Sequence, residues 1–367
     1  MCNKSAEKTN DEDFFLSLVR PCVKNLEPYN PGMIPEGSIR LCSNESARGA
    51  SPAALKAMTE ALNDCSLYSE STCLKLRQAI ADRYGLTQES ILVGNGLDGV
   101  FTNLGRTFLN GGDEVISAEL TFSAYHDTAE IMGAVPVKVP LNYRMEFDSD
   151  CVINAVTERT KMIFWCNPNN PTGTVVPISE IVRVLDSVPQ NVIFVLDEAY
   201  FEFAETTEES GIELIKKYKN LIVCRTFSKI HGLAGLRIGW AAANPLLIKQ
   251  MYRTREPYCV TEAAQAGALA ALADREYFEI SRRIFIEERK RLEKFFTELG
   301  VKFIPSQANF ILLKEERAED IYMALAQKNI ITRLVNFRGK KLLRITVGTE
   351  RENDFLMKES AIFSSKV

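Results

Sequence analysis

Val192-Ile193-Phe194-Val195-Leu196-Asp197-Glu198-Ala199-Tyr200 is the stretch on which the fold turns. Its first five residues are apolar without alternation, which suits a strand covered on both faces. The run ends in carboxylates, and a carboxylate at the tip of a buried strand is costly unless a partner meets it. A protonated heteroaromatic nitrogen is one suitable partner for Asp197; capping a following helix is the plainer role. Tyr200, three residues on, can point its hydroxyl the same way. Working outward, short apolar runs recur at 91–93, 115–116, 162–165 and 221–223, with helical patterns between them, as at 178–185. Ser51-Pro52 reads as an N-cap followed by proline at the first helical position. This alternation predicts an α/β fold with a mostly parallel sheet sandwiched by helices.

The pattern changes near residue 270. A helix is predicted over 275–299, stopped by Gly300, with Phe278, Phe285, Leu292, Phe295 and Leu299 as its apolar face. Its six basic and six acidic residues within 276–298 read as a solvated face. Strands at 309–313 and 342–347 and a helix near 317–328 complete a smaller α+β domain. The expected organisation is an N-terminal arm at 1–40 packing with the small domain, a large domain at 41–270 and a small domain at 271–367. Residues 1–12 read as a frayed tail.

The 367 residues are 46% hydrophobic and 25% charged, ordinary values for a globular chain. With 44 basic and 48 acidic residues the net charge is −4, so no footprint for nucleic acid or an anionic membrane is expected. Only His126 and His231 exist, which argues against a histidine-rich metal site, and no metal is expected. Nine dispersed cysteines, no signal-peptide pattern and no run long enough to span a bilayer predict a soluble cytoplasmic protein with free thiols.

Three further segments carry chemistry. Gly94-Asn95-Gly96-Leu97-Asp98-Gly99 follows a strand and opens a helix, with Glu119 twenty residues after Gly99. That is the dinucleotide fingerprint as usually stated, though the physics supports only a phosphate on a helix N-terminus. Asn167-Pro168-Asn169-Asn170-Pro171-Thr172-Gly173 forms a rigid turn at the edge of the sheet where ligands sit. Thr226-Phe227-Ser228-Lys229 leads into Gly232-Leu233-Ala234-Gly235-Leu236-Arg237-Ile238-Gly239. A lysine in this uncharged, glycine-rich setting loses its charge cheaply, which favours Schiff-base chemistry. Arg237 and Ser228 are suited to a phosphate, and His231 to local packing.

Together these segments, with Leu343-Arg344-Ile345-Thr346-Val347-Gly348-Thr349, resemble the fold-type-I aminotransferases that use pyridoxal 5′-phosphate. Within them the chain is most similar to the histidinol-phosphate aminotransferases, from about residue 25 to 349. The resemblance implies the aspartate-aminotransferase-like fold and a homodimer with shared sites. It implies Lys229 as the Schiff-base lysine and proton carrier, and Asp197 as partner of the pyridine nitrogen. Asn170 and Tyr200 would bond the ring's phenolic oxygen, and Phe122 would stack on the ring. The phosphate would rest on Leu97 and Asp98, with Ser228, Arg237 and Tyr68 of the partner subunit. The substrate would meet Arg344, Arg333, Tyr29 and Asn44. Implied substrates are an amino donor and an oxo-acid acceptor, here L-histidinol phosphate and 2-oxoglutarate.

The sequence departs from the family at Ser46-Ala47, where Asn-Pro is usual, at Leu97-Asp98-Gly99, and at Leu120, a usual proline. The altered 44–47 segment keeps an aromatic or broad-range aminotransferase open, while a threonine-phosphate decarboxylase, which shares the fold and cofactor, is disfavoured because Arg344-Ile345-Thr346-Val347-Gly348-Thr349 resembles the aminotransferase pattern. A non-catalytic sensor of this fold and a nicotinamide oxidoreductase fit less well, the latter because it leaves Lys229, Asn170 and Tyr200 without a role.

Overall fold

The computed structural model describes residues 11–24, 26–28, 32–205 and 209–364. Tyr29 and the tail through residue 10 lie outside the described residues. The strands in chain order are Ile39–Arg40 (β1), Ile91–Gly94 (β2), Glu114–Ala118 (β3), Val135–Val139 (β4), Thr160–Cys166 (β5), Ile193–Asp197 (β6) and Leu221–Thr226 (β7). They continue with Gly239–Ala243 (β8), Phe303–Ile304 (β9), Phe310–Leu313 (β10), Ile330–Ile331 (β11), Arg333–Phe337 (β12) and Lys340–Thr346 (β13).

Seven strands form one sheet in the order β2-β8-β7-β6-β5-β3-β4. All its pairings are parallel except the two made by β8, which is antiparallel to β2 and β7. Every residue of β6 is buried, as an apolar strand in the middle of a parallel sheet requires. Trp165, Phe164 and Phe194 fill the layers on either face. Burying each such side chain stabilises the fold by about 1.5–3 kcal/mol. The reversed strand decides the site's composition. Because β8 runs backwards, it begins at the edge where β2 and β7 end, with Gly239 opposite both Gly94 and Thr226. Arg237 is thereby delivered to the ligand edge by two residues of chain.

A second sheet, β12-β13-β10-β9, is antiparallel throughout. The long helix Arg275–Glu298 leads to it, capped by Asp274 at its start and ended by Gly300 at φ 71°. Not all of its charges are solvated, contrary to the sequence expectation. Arg282 donates to the carbonyls of Glu202 and Ala204, and buried Arg289 donates to those of Phe203 and Ala308 and to Glu205. These arginines supply donors for a loop whose carbonyls have no sheet partner. The N-terminal segment divides its contacts. Ile39–Arg40 pairs with β11, while Arg20 donates 2.8 Å to the Ile131 carbonyl at the end of helix Ala124–Ile131.

Candidate active site

Strands β5, β6 and β7 end side by side, and their register places Asp197 between Cys166 and Cys224. Asp197 is 2% exposed. Its Oδ1 accepts from the Ala199 N–H and its Oδ2 from the Tyr125 hydroxyl at 2.5 Å. Burial pushes its carboxyl up to about 6; the two hydrogen bonds oppose that push, and the charges of Asp98 and Glu198 add to it. So Asp197 does not cap a helix, and its partner inside the protein is Tyr125. Sequence reading missed Tyr125. Its signal was present in Thr121-Phe122-Ser123-Ala124-Tyr125, where a helix start places Phe122 and Tyr125 near one another. Their rings meet edge to face at 5.8 Å, and Tyr125 stacks on Phe164 at 4.6 Å.

Lys229 follows β7 and projects into the same cleft. Its Nζ donates 3.3 Å to the Ser43 carbonyl and lies 5.5 Å from the centre of the Tyr200 ring. The cleft is partly open, yet protein crowds the ammonium on most sides. Desolvation, then the charges of Arg344 and Arg237, lower its pKa to about 8. Tyr200 is buried, and burial raises its hydroxyl; Asn44 donates to that hydroxyl at 3.0 Å. Asn44 is held in turn by Thr346, whose hydroxyl donates to its Oδ1 at 3.1 Å. Asn44 has φ 55°, a left-handed backbone that asparagine tolerates better than most residues.

The glycine turn forms the next wall. Gly96 has φ +70°, and a Cβ there would lie 2.5 Å from Arg237 Nη2. The empty α-carbon thus lets the guanidinium sit against the start of helix Gly96–Phe108, whose first N–H groups lack helical acceptors. Arg237 bonds Asp98 at 3.0 Å and reaches Ser228 Oγ at 3.4 Å. Glu119, the acidic residue of the dinucleotide fingerprint, is taken up elsewhere. It binds both arms of Arg338, at 3.0 and 2.6 Å, in the turn between β12 and β13.

Arg344, on β13, closes the opposite side. It donates 2.6 Å to Asn170 Oδ1 and 2.6 Å to the Cys42 carbonyl. The other amides of the turn face inward: Asn167 brackets Val176, and Asn169 binds the Leu120 carbonyl and Thr172. Asn170 is therefore the amide available to a ligand. Arg333 stands opposite Arg344 in the β12–β13 register, so both arginines rise from one face of that hairpin. Tyr68 does not join this cluster within the chain. It is 83% exposed and stacks on Tyr258 at 4.6 Å. His231 packs against Phe227 and Phe278, and burial lowers its pKa to about 3.

The donor set fits a phosphorylated pyridine aldehyde. Arg237, Ser228 and the helix start suit a phosphate, Asp197 a protonated ring nitrogen, and Lys229 an aldehyde. The Gly96 cradle, which a Cβ would fill, belongs to the phosphate end. Among the described residues no group of three or more His, Cys, Asp or Glu side chains could hold a metal ion.

Comparison with known proteins agrees with this chemistry. The chain is 38% identical to the histidinol-phosphate aminotransferase of Moorella thermoacetica over 368 residues, covering 96% of this chain and 95% of that one. Its structure resembles that of a histidinol-phosphate aminotransferase from Sinorhizobium meliloti in complex with pyridoxal-5′-phosphate. There the TM-score is 0.89 and the identity 26%, over 95% of this chain and 98% of the other. An L-threonine-O-3-phosphate decarboxylase from Porphyromonas gingivalis is also similar, with TM-score 0.76 and 28% identity over 89% and 99% of the two chains. These likenesses give the α/β fold read from the sequence. The family model for aminotransferase class I and II matches residues 36–359, and the chain belongs to that family.

Proposed function

We propose that this aminotransferase uses pyridoxal 5′-phosphate to exchange the amino group of L-histidinol phosphate with 2-oxoglutarate. The observation that carries the reading is the placement of Lys229 between two cationic anchors. Arg237 lies at the glycine turn, and Arg344 lies across the cleft beside Asn170 and Tyr200. One anchor suits the cofactor's phosphate and the other suits an anion of the substrate. When bound, the cofactor supplies an aldehyde and an electron-withdrawing ring that stabilises negative charge at the substrate α-carbon.

The residues do the rest. Asp197 would hold the ring nitrogen's proton, Asn170 and Tyr200 would orient the phenolic oxygen, and Phe122 would cover the ring face. Leu97 and Asp98 would offer backbone N–H groups to the phosphate, with Ser228 and Arg237 beside them. Lys229 Nζ, with its lowered pKa, moves the proton at the substrate α-carbon. Arg344 and Arg333 grip carboxylate or phosphate through planar guanidinium forks. Asn44 and Tyr29 belong to the substrate side. The reading includes a homodimer in which the partner's Tyr68 completes the phosphate site. It keeps the arm, large and small domains at 1–40, 41–270 and 271–367, and a cytoplasmic setting suited to unpaired thiols.

An absorbance titration tests it. Addition of L-histidinol phosphate should bleach the visible band of the holoenzyme, and 2-oxoglutarate should restore it. A band that histidinol phosphate leaves unchanged moves the substrate to other amino acids. Release of carbon dioxide from a phosphorylated amino acid would replace transamination by decarboxylation.

A further inference from the structure

Asp197 is a carboxylate with almost no water around it, and what surrounds it is mostly unfavourable to its charge. Neighbouring strands bring Cys166 and Cys224 to its level, both buried thiols that burial holds protonated. Asp98 on helix Gly96–Phe108 and the adjoining Glu198 face it with like charge, and Tyr200 lies near enough to feel it. Against these stand one backbone N–H and one side chain, the Tyr125 hydroxyl at 2.5 Å.

Tyr125 is itself fully buried, stacked on Phe164 and edge-on to Phe101 and Phe122. A hydroxyl in such a shell needs a partner, and besides Asp197 it has within reach the Cys166 thiol, a much weaker hydrogen-bonding group. The bond joins Asp197 Oδ2, while Oδ1 turns toward the chain of its own strand end.

Resting on the reading that the cleft holds pyridoxal phosphate, we propose that Tyr125 is a positioning residue for Asp197. Its hydroxyl keeps the buried carboxylate ionised and aimed, and so sets the protonation of the cofactor's ring nitrogen. The same ring braces Phe122, so one side chain fixes both the electrostatic partner and the stacking partner of the cofactor.

The test compares wild type, Tyr125→Phe, Asp197→Asn and the double variant. Each is stripped of cofactor and titrated with pyridoxal 5′-phosphate across pH 5–9, a range set around the Asp197 value of about 6. Tyr125→Phe keeps the ring and removes only the donor. Its affinity at neutral pH should fall about tenfold, the effect of losing one hydrogen bond to a charged group. The acid limb of binding, and of the bound cofactor's absorbance, should move to higher pH than in wild type. In the Asp197→Asn background the same change should have no further effect, because the group it acts through is gone. Thermal unfolding of the cofactor-free variants separates misfolding from lost positioning. An unchanged pH profile and affinity in folded Tyr125→Phe would overturn the proposal, as would an equal loss in the Asp197→Asn background. A wild-type chain that takes up no pyridoxal phosphate would overturn the underlying reading first.

Discussion

Lys229 is held in a state that is poor for folding and good for chemistry. Desolvation lowers its pKa from 10.5 to about 8, so the unfolded chain binds more protons between those values. Stability of the cofactor-free protein therefore rises as pH increases from about 8 toward 10.5. Lys229→Met should flatten that slope, measured by denaturant unfolding at several pH values. Lys229→Ala should abolish turnover and leave the cofactor bound only noncovalently, read by its absorbance and its loss on dialysis. At this scale much of the candidate site was legible, because Lys229, Asp197, Asn170 and Arg237 sit in short motifs whose spacing follows strand ends. Tyr125 was not, since a buried tyrosine in a helix looks like core until its hydroxyl partner is known. Glu119 was legible as an acidic residue at a strand end but not as the partner of Arg338, which is 219 residues away.

Turns and hairpins set the distances that those residues need. Gly96→Ala should be more damaging than an alanine on an exposed helix. It places a Cβ at positive φ, worth about 1–2 kcal/mol, and pushes on Arg237 as well. Cofactor affinity should fall at least tenfold, measured by equilibrium titration. The Glu119–Arg338 pair ties the end of β3 to the hairpin that carries Arg333 and Arg344. Glu119→Gln should loosen that tie. We expect KM for both substrates to rise about threefold with cofactor affinity unchanged, and the difference from wild type to shrink in high salt. The strands that sequence reading missed have local reasons. β4 contains Pro136 and lies at the sheet's edge, where a missing N–H is tolerated. β8 is Gly-Trp-Ala-Ala-Ala, four of its five residues being glycine or alanine of low strand propensity, which the flanking β2 and β7 nonetheless recruit. β12 is Arg-Leu-Val-Asn-Phe, mostly half-buried, with neither a clean alternation nor a long apolar run to mark it.

For the molecule as a whole, Leu55, Leu62, Leu67, Tyr68 and Leu74 are each more than half exposed. Large apolar side chains gathered in the 55–74 stretch favour a covered surface over a bare one. Under the proposed dimer, a mixed population of Tyr68→Phe and Lys229→Ala subunits should differ from a simple average of the two. One of its sites carries both faults and the other carries neither, so activity recovers, measured after unfolding and refolding the two variants together. Equilibrium sedimentation should give a dimer at assay concentrations.

The bond between Asn44 and Thr346 spans 302 residues of chain. It is joined by the Thr346 N–H to the Leu41 carbonyl and by Asn309 to the Asn44 carbonyl. A ribosome adding about 5–20 residues per second takes roughly 15–60 s to travel from one end of that bond to the other. For all of that interval Asn44 has been made and Thr346 has not. Synthesis thus has a fixed order: the sheet that carries Asp197 and Lys229 is complete well before the strand that carries Arg344. A chain released before β13 is made lacks both Arg344 and the stitch that seats Asn44 on Tyr200.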